Sequence, residues 1–95
     1  MIKFIVTRDS VCAGDDIDAP HTEIYEHKGD IEKLDLVNLV SRKAIDTDFP
    51  ENTWVCLWNG EIVAEFKRGS KVYKIECLII NDVNVVHFQK KLNNC

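Results

Sequence analysis

The sequence predicts an α+β protein in which a single helix packs on one face of a mostly antiparallel sheet, in the order ββα followed by a β-meander. Three observations carry this prediction. Residues 31–44 place their apolar side chains at helical spacing, Asn59-Gly60 falls between two apolar runs, and the chain opens on the apolar, β-branched run "IKFIVTR". The 95 residues read as one domain, 1–95, large enough to bury roughly 60–70% of the surface exposed by the unfolded chain. Hydrophobic and charged fractions of 45% and 29% are those of a chain that folds without a partner.

"IKFIVTR" suits a first strand. The pattern then breaks at "DSVCAGDDIDAP", where Gly, Pro and four Asp mark a loop or an elaborate turn. "HTEIYEH" follows as a second strand, with Thr22, Ile24 and Glu26 alternating against Glu23, Tyr25 and His27. Lys28-Gly29 closes this hairpin-like unit, and Asp30 is placed to cap a helix over Ile31–Ala44. On that helix Leu34, Val37, Val40 and Ala44 form one stripe, with Ile31 and Ile45 at its margin. Leu36 and Leu39 lie off the stripe, either widening the buried face or forming a small exposed apolar patch. Pro50 ends the helical region.

From Thr53 the turns set a register. A type I′ turn at Asn59-Gly60 pairs Trp58 with Glu61, Leu57 with Ile62, Cys56 with Val63, Val55 with Ala64 and Trp54 with Glu65. A type II′ turn at Gly69-Ser70 pairs Phe66 with Tyr73, Ala64 with Ile75 and Ile62 with Cys77. Paired residues share a face, so Val55, Leu57, Ile62, Ala64, Phe66, Tyr73, Ile75 and Cys77 are expected on the core side. Trp54, Cys56 and Trp58 are expected on the other side, beside Glu61, Val63 and Glu65. "NVVHFQKK" supplies a last strand.

This order resembles the β-grasp superfold, with its N-terminal hairpin, its helix entered through an acidic cap ("GDIEKL") and its sheet crossing that helix. The resemblance is topological and carries no function. The chain ends in "KKLNNC" rather than Gly-Gly, so conjugation of the ubiquitin kind is not implied.

Charge is uneven along the chain. Residues 1–51 hold twelve acids against six bases, a net of −6, whereas residues 52–95 hold four against six, a net of +2. An acidic front half opposes nucleic-acid binding, which needs clustered Lys and Arg, and favours a protein partner with a basic surface. Lys67-Arg68 and Lys90-Lys91 are too short to change that. The opening apolar stretch is too short for a signal-peptide core or a membrane span, so a cytoplasmic location without membrane contact is expected. Cysteines at 12, 56, 77 and 95 have no C-x-x-C spacing and read as reduced thiols. Cys56 and Cys77 fall on opposite faces in the predicted register.

The candidate sites follow from charge and aromatic placement. Asp15, Asp16 and Asp18, with Asp9, form an acidic loop that could hold a hard cation. An EF-hand counted from Asp15 fails, because Ile17 takes the third ligand position and Pro20 the place of the required Gly. A solvated Asx turn, or an anionic projection docking into a basic cleft, accounts for the same residues. Asp16 with Glu26-His27-Lys28 is similar to the D…(D/E)-x-K signature of metal-dependent nucleases, in an otherwise acidic chain. Cys12 with His21 or His27 lacks a third residue to orient the pair as nucleophile and base. Trp54 and Trp58, expected on the face away from the helix, are shielded there by the acidic loop or by another molecule.

The sequence therefore points to a non-enzymatic protein-interaction module, a small acidic inhibitor or immunity-type protein, using Asp15, Asp16, Asp18, Trp54 and Trp58 against a basic partner. No cofactor or metal is expected. The alternatives are a small metal-dependent enzyme built on Asp16, Glu26 and Lys28, and homo-oligomerisation through the Trp face.

Overall fold

The computed structural model describes residues 1–9, 21–48, 50, 52–76 and 78–91. Among them one helix packs on a six-stranded mixed sheet, an α+β arrangement that is antiparallel at all but one pairing. In chain order the elements are β1 (Ile2–Arg8), β2 (His21–His27), α1 (Lys33–Ala44), β3 (Trp54–Trp58), β4 (Glu61–Lys67), β5 (Ser70–Tyr73) and β6 (Val83–Lys90). Across the sheet they lie in the order β2-β1-β6-β3-β4-β5. The first and last strands run parallel at the centre, with Phe4 beside Asn84 and Val6 beside Val86.

The helix begins two residues later than the acidic cap predicted. Glu32, not Asp30, occupies the N-cap position in extended backbone, its side chain makes no capping hydrogen bond, and its carbonyl accepts from Leu36 N–H at 2.9 Å. Its buried face also differs from the expected stripe. Leu36, Val37, Val40 and Ser41 are buried, whereas Leu34 is exposed. At 100° per residue Leu36, Val40, Ala44 and Val37 lie within one arc of about 100°, and Leu34 falls outside it.

The Asn59-Gly60 turn forms as expected, with φ of 50° and 88°. It pairs Trp58 with Glu61 and Leu57 with Ile62. Beyond that point the predicted register fails, because a β-bulge intervenes between Cys56 and Leu57. Val63 is the extra residue, so Cys56 faces Ala64, Val55 faces Glu65 and Trp54 faces Phe66. One inserted residue reverses the facing of everything after it. Ala64 and Phe66 thereby join Trp54, Cys56 and Trp58 on one side, and that side lies under the helix.

The β4–β5 turn sits at Arg68-Gly69, with Gly69 at φ 77°, rather than at Gly69-Ser70. Phe66 consequently faces Lys71, and Ala64 faces Tyr73. This two-residue shift preserves the facing, so Tyr73 remains on the core side. Its hydroxyl donates to Asn38 Oδ1 on α1, fastening β5 to the helix.

The core collects Phe4, Val6, Leu36, Val37, Val40, Trp54, Cys56, Trp58, Phe66, Val86 and Phe88. Phe4 and Trp58 meet edge to face at 5.4 Å. Asn84 is fully buried beside them and is satisfied on every side. Its Oδ1 accepts from Trp58 Nε1 (3.3 Å), Asn59 Nδ2 (3.1 Å) and the Asn81 amide (2.8 Å), and its Nδ2 donates to the carbonyls of Asn81 (2.8 Å) and Lys3 (3.4 Å). One side chain thus ties the β3–β4 turn, the approach to β6 and the start of β1 together.

Candidate functional site

Among the described residues the one helix covers one side of the sheet, and no described helix covers the other, the open face. Strand alternation sorts the side chains: Phe4, Val6, Val86 and Phe88 turn inward, while Ile5, Thr7, Val83, Val85 and His87 turn outward. The register sets Ile24 opposite Ile5 and Ile5 beside Val85, an aliphatic row across β2, β1 and β6. Ile24 is 59% exposed, Val85 51% and Val83 53%. On β4 and β5 Ile62 and Val72 extend the apolar character, also outward and exposed.

A polar array stands next to the aliphatic row. Thr7 Oγ1 lies 2.7 Å from Nδ1 of His87, its direct neighbour on β6, and Asp9 Oδ1 lies 2.9 Å from Nε2 of the same ring. A carboxylate only accepts, so Nε2 carries hydrogen, and in the neutral ring Nδ1 accepts from the Thr7 hydroxyl. Asp9 Oδ2 also accepts from Lys90 N–H at 2.9 Å, and the Asp9 amide donates to the Phe88 carbonyl. A hydroxyl, an imidazole and a carboxylate in line form a base-and-nucleophile pattern. The backbone of β1 is itself paired on both sides, so it offers Thr7 no free N–H groups of its own. The array fastens Asp9 to β6 where the chain leaves the sheet.

The structure corrects the expected position of the tryptophans. Trp54 and Trp58 are 4% and 1% exposed and pack in the core, not on the open face. The bulge at Val63 is the reason. It lets both apolar sets, the tryptophans and the Ala64–Phe66 pair, point at the helix, and the expected Trp face available for a partner or for self-association is absent. Asp15, Asp16 and Asp18 lie outside the described residues, as do Cys12 and Cys77.

Glu26 is exposed on β2 opposite Lys3, and Lys28 is exposed just beyond that strand. Asp16, the third member of the nuclease-like set, is outside the described residues. Among those described, no three His, Cys, Asp or Glu side chains are grouped to hold a metal ion. The Cys56 thiol is buried and pushed up to about 12, chiefly by loss of solvation, which leaves it protonated and unreactive at neutral pH. Among the described residues no helix is long and apolar enough to cross a membrane.

Two further features were not foreseen from the sequence. Tyr25 donates its hydroxyl to Glu23 and has its ionisation pushed up to about 12, first by that hydrogen bond and then by burial. Lys43 sits 4.9 Å above its ring. The second is a groove of about 490 Å³ on the β3–β5 half of the open face, with Val55, Ile62 and Val72 among its lining residues. Comparison with known protein families, curated proteins and solved structures finds no match to this chain.

Proposed function

We propose that the chain is a non-enzymatic protein-interaction module that docks on a partner with a basic surface, as a small acidic inhibitor or immunity-type protein would. The observation that carries this reading is the aliphatic row Ile24–Ile5–Val85, with Val83 beside it, on a sheet face that no described helix covers. A sheet buries one face against its helix, and an apolar opposite face rimmed by polar groups is where a second molecule gains most by excluding water. A net charge of −4, with the excess in residues 1–51, favours a basic partner and speeds its approach. In this reading Asp15, Asp16 and Asp18 steer the encounter, and the open face supplies the contact that lasts. The protein acts in the cytoplasm, and its cysteines stay reduced.

The fold belongs to the same reading. A first strand parallel to the last at the centre of the sheet, an N-terminal hairpin at one edge and a helix across one face are the relationships of a β-grasp arrangement with one additional strand, and they support that assignment. Recovery of a partner on tagged protein from its native cells tests the function. The parent chain retains a basic protein, an Ile24→Asp, Val85→Asp variant of unchanged melting temperature loses it, and Mg²⁺ or Ca²⁺ leaves both melting temperatures unmoved. Retention by the variant, or a large metal-dependent shift, contradicts the reading.

A further inference from the structure

We propose that the groove on the β3–β5 half of the open face binds a short stretch of a partner protein rich in acidic and aliphatic residues, laid in extended form. Val55 is 8% exposed yet lies outside the core cluster, at a strand position that alternates with the inward Trp54 and Cys56. With Ile62 and Val72, both exposed, it makes an apolar floor. The bulge at Val63, directly after Ile62, bends β4 beside this floor.

The rim has the sign opposite to the rest of the molecule. Among the described residues Lys74 and Lys91 line the groove against one carboxylate, Glu65, in a chain whose net charge is −4. Glu65 is engaged by Lys91 at 3.1 Å and by Lys67 at 3.5 Å, so the one acid among the described lining residues is already matched within the protein. A basic rim over an aliphatic floor is complementary to a segment that alternates carboxylates with aliphatic side chains. An extended chain turns successive residues to opposite sides, so one set seats on Val55, Ile62 and Val72 while the lysines, on long flexible stems, reach the other. The volume is within the range of sites that hold small ligands. The groove lies on the same face as the Ile24–Val85 row but shares no residue with it, so substitutions in each distinguish the two readings.

The test is fluorescence anisotropy with a labelled synthetic peptide alternating Val and Glu, alongside a peptide with Lys in place of Glu and with dodecanoate as an anionic amphiphile of a different class. The acidic peptide is expected to bind saturably and more weakly as salt is raised. Affinity should fall at least about tenfold in Lys74→Glu, Lys91→Glu and in Val72→Asp, and stay unchanged in Ile24→Asp, Val85→Asp. Circular dichroism melts of the variants establish that each is folded. Equal binding of the basic peptide, no saturable binding up to about 1 mM, indifference to the groove substitutions, or binding of dodecanoate without the peptide would each overturn the proposal.

Discussion

The indole N–H of Trp58 donates to the side-chain oxygen of Asn84 at 3.3 Å inside the core, joining an aromatic of β3 to an asparagine that the sheet buries completely. A buried amide is tolerated when its donors and acceptor are all used, and Asn84 uses them on Asn59, Asn81 and Lys3 as well. Asn84→Leu fills the space but strands the indole N–H and the Asn81 amide, so a loss of about 2–4 kcal/mol is expected in urea denaturation. A loss below about 0.5 kcal/mol would mean that water serves these groups as well as Asn84 does.

The tryptophans themselves belong to the core. Trp54→Ala and Trp58→Ala are each expected to cost about 3–5 kcal/mol, the range for deleting a large buried aromatic. Because neither reaches the open face, neither should alter partner binding except through the folded fraction. Urea melts and binding measured well below each midpoint separate the two effects.

The turns, the bulge and the helix differ in how far sequence discloses them. Asn59-Gly60 was legible because a two-residue turn with positive φ at both positions restricts residue type locally. The bulge at Val63 was not. A valine in a run of apolar residues carries no local mark of being unpaired, and Trp54, Cys56 and Trp58 are as apolar as Val55 and Leu57 on the alternate positions. With both faces of β3 eligible for the core, the decision passed to the register of β4, which one extra residue inverts. On the helix, Leu34 and Leu36 point about 160° apart, and only packing distinguishes them. Asn84 was silent for a different reason: it reads as a polar interruption in a strand, and three of its partners, Lys3, Trp58 and Asn59, are far from it in sequence. Which residues form the open face depends on the register of β3 and β4, which the bulge decides. The acidic residues Asp15, Asp16 and Asp18 were legible as a charge cluster, and they lie outside the described residues.

At the β3–β4 turn, Gly60 adopts φ 88° with open space where a side chain would project. Gly60→Val therefore tests backbone conformation with no clash at Cβ. About 1 kcal/mol or more should be lost, since a β-branched residue is the least suited to positive φ. Melting temperature reports the change, and an unmoved value would contradict the turn geometry.

Tyr25 offers a pH-dependent check. Its phenol ionises near 12 rather than 10.0, because it donates to Glu23 and is partly buried. A folded-state pKa above the unfolded one favours the protonated form in the fold. Its stabilising contribution is complete below about pH 10 and is lost as pH rises through 12. In a Tyr73→Phe background, where Tyr25 is the only tyrosine, ultraviolet titration should show a late tyrosinate transition. Glu23→Gln should bring it back toward the ordinary value, and an unshifted titration in the parent would refute the pairing.

The central claim, that the helix-free face is the surface by which this protein holds its partner, is tested most directly by measuring dissociation of the recovered partner. The comparison is between parent protein and the Ile24→Asp, Val85→Asp variant. The account predicts equal melting temperatures and dissociation faster by at least about tenfold in the variant, while Asp15→Asn, Asp16→Asn, Asp18→Asn chiefly slows association and flattens its salt dependence. Unchanged dissociation in the folded aliphatic-row variant would contradict it.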